Sequence, residues 1–157
     1  MSESARKAEV ASPAASNLWS LSVVCLLAWM IPGAGHVLLK RTKRGIVFFA
    51  ILVFLFYWGL SLGAKIWQYE PQQPLTLFAL FAQVGMGFPY FLARLIATYS
   101  KLHPASPFFG FAESFQFGSG NLERLTFEYG NTFTWVAGLL NFLVILDAYD
   151  IAVGRKK

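Results

Sequence analysis

The stretch Met30–Arg44, MIPGAGHVLLKRTKR, decides how the chain is read. An apolar run begins at Leu18 and ought to continue smoothly. Instead Pro32, Gly33 and Gly35 break it, His36 follows, and Lys40, Arg41, Lys43 and Arg44 crowd into five positions. A proline removes a backbone donor and clashes with the preceding turn, so a long helix fails there. The bases that follow stop the apolar run where lipid headgroups would meet it.

Working outward, the composition agrees with lipid as solvent. The 157 residues are 56% hydrophobic, 17% aromatic and 13% charged. A water-soluble domain has about a quarter of its residues charged. A chain of this length cannot hide so much apolar surface within itself. The net charge of +5 sits at the ends of apolar runs and does not interleave with aromatic residues in a polar domain, which argues against nucleic acid as partner. Cys25 stands alone, so no internal disulfide and no cysteine-based metal site is expected. Residues 1–17 are small and polar and read as a disordered tail. The apolar stretch after them is too long for a signal-peptide core and is expected to be retained.

The remainder, 18–157, reads as one all-α integral membrane domain with about four transmembrane helices. The first span, 18–39, is 22 uncharged residues, about 33 Å of helix, broken at Pro32–Gly35. The second, 45–63, lies between Arg44 and Lys65, with Tyr57 and Trp58 toward one end. The third, 75–98, starts after Pro74, and Gly85, Gly87 and Pro89 predict a kink. The fourth, 132–153, ends at Gly154 and carries Thr134, Gly138, Asn141 and Ala148 at three-four spacing, a small-residue stripe suited to close packing in lipid. Between the last two spans, residues 100–131 are broken by prolines and glycines and hold Phe108, Phe109, Phe111, Phe115 and Phe117. They read as an aromatic interfacial segment lying on the membrane. No internal repeat is evident.

With four crossings both chain ends share one side, and Lys40–Arg44 faces the other. Lysine and arginine then divide six against seven, which sets no orientation. If the first segment instead dips in and returns, the division is nine against four. The four-crossing geometry is preferred, because 22 uncharged residues span readily. The basic cluster itself is expected to face the cytoplasm in either arrangement.

Two constellations could carry function. In the first, Gly33 and Gly35 aim backbone donors, and His36, Lys40, Arg41, Lys43 and Arg44 hold a lipid phosphate. The structural alternative has the glycines permit a tight break, His36 satisfy carbonyls freed by Pro32, and the bases only fix orientation. In the second, Asp147 and Asp150 lie on one face of the last helix. Four crossings put Asp147 about 24 Å from the side that carries Arg94. Its expected partner is therefore Lys65 or Arg155, in a contact locking spans two and four. A proton or cation site using Asp147, Asp150 and Asn141 is the functional alternative. Gly85, Gly87 and Gly138 are expected to offer helix-packing faces. His36 and His103 are too few for zinc, and no nucleophile motif appears, so neither a metal, a cofactor nor a catalytic residue is expected.

The residues PGAGHVLLKRTKRG resemble the opening of the TM-two-type (two-transmembrane) domain family, where a glycine-histidine turn precedes bases. The match covers Pro32, Gly33, Gly35, His36, Leu39 and the bases. Leu38 and Lys40 stand where that pattern favours Tyr and Gly, and Asp147 follows much later than the family's acid, so the resemblance does not extend to a whole domain. The ending, with its AGLLN and DAYD segments, is similar to that of small uncharacterised bacterial multi-pass proteins. That similarity implies the bacterial inner membrane and no reaction. The expectation is a non-catalytic structural or assembly subunit, in contact with the bilayer and its anionic lipids, as a homo-oligomer or within a larger complex. The alternative is a lipid-headgroup-binding or ion- or proton-handling protein.

Overall fold

A computed structural model describes residues 20–103, 105–107 and 119–156. The expected tail at 1–17 and the phenylalanine cluster at 108–117 lie outside the described residues. Those described are helical or irregular: α1 (Ser20–Met30), then α2 (Ala34–Leu38), α3 (Thr42–Ser61), α4 (Leu75–Val84), α5 (Phe88–Leu102) and α6 (Phe127–Ala152).

Helices α3 and α6 are long and apolar enough to cross a membrane. The pair α4–α5 meets the same test jointly but is bent by 113° at its break. The described helices therefore give two candidate crossings, or three if the bent pair is one span, where four were expected. The reason lies in the prolines. Pro32 and Pro89 each lack the N–H that would continue a helix. Gly33 and Gly87, at φ 81° and 68°, turn the chain where a side chain would be strained.

The first segment does not run straight through. Gly35 lies over Ala28 and Val24 of the preceding helix, so α2 folds back along α1. A Cβ on Gly33 would stand 2.2 Å from the Gly45 carbonyl oxygen, so only glycine lets the break seat against the first turn of α3.

Helices α3 and α6 are antiparallel partners. Gly59 meets Gly130 and Thr134 at one end, and Phe48 and Asp147 line a common cleft at the other. The chain from Lys40 to Arg44 therefore shares an end with the C-terminus, called here the basic end. The Lys65 end holds the 119–126 turns, tied by Asn121 N–H to the Gly63 carbonyl at 3.0 Å and by Thr126 Oγ1 to the Leu62 carbonyl at 2.8 Å. The four-crossing arrangement had put the C-terminus with Lys65, opposite Lys40–Arg44. The bent third segment reverses that placement.

The core is formed by Leu52, Phe56, Leu60, Ile66, Met86, Tyr90 and Ala137. A smaller cluster of Val24, Ala28 and Ala148 places the start of α1 beside the last turns of α6, at the basic end. The remaining large apolar side chains point outward on every long helix, among them Phe54, Phe78, Leu95 and Leu143. This distribution suits lipid as solvent.

Candidate functional site

Two proline breaks meet at the middle of α6, and Asn141 joins them. Its Nδ2 donates to the Gly85 carbonyl at 2.9 Å and to the Ala28 carbonyl at 3.5 Å. Ala28 stands four residues before Pro32, and Gly85 four before Pro89. Both carbonyls have thus lost their helical donor to a proline, and one buried amide serves both. Trp29 adds a third tie, donating from Nε1 to the Val84 carbonyl at 3.0 Å. The structural alternative for the Pro32 break gave its repair to His36. Asn141 performs it instead, because it alone lies opposite both breaks.

His36 is turned elsewhere. It is 0% exposed, and its Nε2 lies 2.9 Å from Asp147 Oδ2. The ring of Phe48 packs edge-on at 5.1 Å. The other oxygen of Asp147 accepts from Lys156 Nζ at 2.5 Å. Asp150 faces Arg155 at 3.6 Å. Of the partners expected for the two acids, Arg155 pairs with Asp150, while Lys65 bonds Glu70 at 3.0 Å on the opposite end. The physical reason is the direction of the last helix: α6 starts at the Lys65 end, so Asp147 arrives beside the basic end, and the folded-back α2 delivers His36 to it.

Lys40, Lys43 and Arg44 are exposed and Arg41 is half-buried, around the N-terminus of α3. Among the described residues none of the four forms an ion pair. The first turn of α3 contains no acid. They line an open pocket of about 660 Å³ with Leu39 and Thr42. A second groove of about 370 Å³ runs between the α1–α2 hairpin and α3, lined by Leu27, Ile31, Val37, Leu38, Ile46 and Phe49 among others, residues to either side of the basic turn in sequence. His36 does not border either pocket, so the expected constellation of glycines, His36 and bases divides into two sites.

The expected packing glycines are occupied within the chain. A Cβ on Gly138 would lie 1.7 Å from the Ala82 carbonyl oxygen, and one on Gly87 would lie 1.9 Å from that of Trp29. Gly85 is covered by Phe142. These faces bring α1, α4 and α6 together within the chain.

Sequence reasoning missed Gln83, and Asn131, which as a residue before span 132–153 suggests a helix cap, lies inside α6 instead. Gln83 Oε1 accepts from Trp67 N–H at 2.9 Å, while its Nε2 donates to the Lys65 carbonyl at 2.9 Å and to Thr134 Oγ1 at 3.0 Å. Asn131 Oδ1 accepts from Lys65 N–H at 3.0 Å. Together they satisfy the non-helical strand of chain after α3, whose Ala64 and Ile66 are buried. The available signal was Gln83, the one amide on the apolar α4, and Asn131 among the polar positions of α6.

A family model matches residues 23–157, nearly all of the described chain. The chain belongs to DUF6677. This is a family of unknown function. The DUF6677 match begins inside α1 and takes in both proline breaks, Asn141 and the His36–Asp147 pair. No curated protein and no solved structure matches the chain significantly.

Proposed function

We propose that the protein is a non-catalytic, multi-pass membrane protein that binds an anionic lipid at its basic end. One observation carries this reading: four cations without an ion-pair partner among the described residues crowd the N-terminus of α3, and the residues that flank them, Leu38, Gly45 and Ile46, line an apolar groove. A helix N-terminus is itself positive, so bases there repel it unless an anion intervenes. A phosphate on the Leu39–Arg44 turn would supply that anion, and an acyl chain would lie in the apolar groove. Each base near an anionic surface contributes about 1 kcal/mol.

The same reading sets the membrane arrangement. Helices α3 and α6 cross. The α1–α2 hairpin enters and leaves at the basic end, and α4–α5 dips in from the Lys65 end. Six of the described bases then lie at the basic end, Lys40, Arg41, Lys43, Arg44, Arg155 and Lys156, which by the positive-inside rule faces the cytoplasm. That compartment in a bacterial cell is bounded by the inner membrane. An assembly role through Gly85, Gly87 and Gly138 has less support, because those faces are already packed within the chain. The turn that resembles the TM-two-type opening supports a shared way of making a re-entrant break.

The test is to purify the full chain from its native membrane and quantify retained phospholipid. Anionic lipid should be enriched, lost in raised salt, and absent from a Lys40/Arg41/Lys43/Arg44→Gln variant. Equal retention by parent and variant would overturn the reading.

A further inference from the structure

We propose that the cleft between α3 and α6 is a separate binding site for a membrane amphiphile with an alkyl chain and a primary ammonium head, and that Lys156 is the resident group it displaces. The cleft is about 510 Å³ and is walled by Phe48, Leu52, Leu143 and Val144, with Asp147, Asp150 and Lys156 at its mouth. It lies on a different face from the groove flanking Lys40–Arg44, and the two share no lining residue.

Asp147 is fixed for recognition of a cation. His36 holds Oδ2 from a fully buried position, so the carboxylate cannot turn away and Oδ1 is presented to the mouth. The ammonium of Lys156 occupies that oxygen. A lysine side chain is chemically a four-carbon alkylammonium, so the cleft already contains the head and a short tail of the class it would accept. Its hold is slight. Gly154, at φ 80°, ends α6 with nothing within 4 Å of its missing Cβ. The tail is then pinned to the Asp150 carbonyl by Arg155 N–H at 2.9 Å and Lys156 N–H at 3.3 Å. The Lys156 side chain is 58% exposed. The ionisable groups facing Asp147 are His36 and Lys156, with Asp150 and its partner Arg155 beside them.

A longer chain has an advantage that Lys156 lacks. Its methylenes can fill the apolar wall below the mouth, and each one fully buried strengthens binding about three- to four-fold. Charge selects the head: a neutral alcohol gains the wall but gives Oδ1 only a hydrogen bond without the ammonium's charge, and a trimethylammonium has no N–H to donate to Oδ1.

The experiment titrates the full chain, in neutral maltoside micelles, with decylamine, decanol and decyltrimethylammonium, read by native mass spectrometry and calorimetry. Decylamine should bind saturably with one molecule per chain, at least ten-fold tighter than the other two. Lys156→Gln removes the competitor and should tighten decylamine binding about two- to five-fold, the weight of an exposed ion pair. Leu143→Trp should weaken it by filling the wall. Asp147→Asn should abolish the preference for amine over alcohol. Equal binding of decylamine and decanol, or a Lys156→Gln variant that binds decylamine no tighter than the parent, would overturn the proposal. Because Lys156 lies on an exposed tail, that variant folds whether or not Asp147→Asn does.

Discussion

Gly138→Ala adds one methyl group at the crossing of α4 and α6, and its cost follows from distances. The new Cβ would stand 1.7 Å from the Ala82 carbonyl oxygen and 2.9 Å from its carbon, both backbone atoms that cannot rotate away. Reaching even the shortest contact that real Cβ atoms tolerate, 3.0 Å, requires the helices to separate by about 1.3 Å, a large shift in a close-packed interior. Two buried hydrogen bonds span that gap, Gln83 Nε2 to Thr134 Oγ1 at 3.0 Å and Asn141 Nδ2 to the Gly85 carbonyl at 2.9 Å. Both would stretch past about 4 Å, beyond hydrogen-bond reach. A buried group left unpaired costs about 1–3 kcal/mol. Unfolded helices in a membrane find other partners, which lowers the figure. The expected destabilisation is about 3 kcal/mol, the lower part of that range for two bonds. Tryptophan fluorescence during denaturation by SDS in mixed micelles measures it. Gly154→Ala is the control, strained at φ 80° but without a neighbour, and should cost about 1 kcal/mol. A Gly138→Ala protein within about 0.5 kcal/mol of the parent, below the cost of even one unpaired buried group, would refute the reasoning. A change in oligomer size at unchanged stability would instead revive Gly138 as a face between copies.

Asn141→Leu leaves both proline-freed carbonyls without their amide and should destabilise by about 2–3 kcal/mol, read in the same denaturation; Asn141→Gln should retain less than the parent but more than Leu. Gln83→Leu strips the partners of Trp67 N–H, the Lys65 carbonyl and Thr134, and should loosen the chain after α3, seen as faster amide exchange at residues 64–67. Reporter fusions at Gln72 and after Lys157 should lie on opposite sides of the membrane, with the C-terminal one cytoplasmic; four full crossings would put both on one side. His36→Ala opens a cavity behind Asp147 and should cost about 2–4 kcal/mol, whereas Lys156→Gln, at an exposed ion pair, should cost less than about 1 kcal/mol by thermal unfolding.

The sequence alone determined the solvent, the positions of the apolar segments and the places where helices fail. Those follow from composition and from single residues whose chemistry is local: Pro32 and Pro89 lack a donor, and Gly33 and Gly87 permit a positive φ. It also marked the stripe Thr134, Gly138, Asn141 and Ala148, all of which are buried on α6. Only the tertiary structure decided what a break does next. A proline ends a helix without saying whether the chain continues across or turns back, and that depends on what receives the freed carbonyls. Here Asn141 receives one from each break, α2 folds onto α1, and α4–α5 bends by 113°. The consequence reaches the candidate sites. With the direction of α6 reversed relative to the basic turn, Asp147 comes to His36 and not to Lys65. A pairing 111 residues apart in sequence has no local signature, because it is set by the path of every segment between.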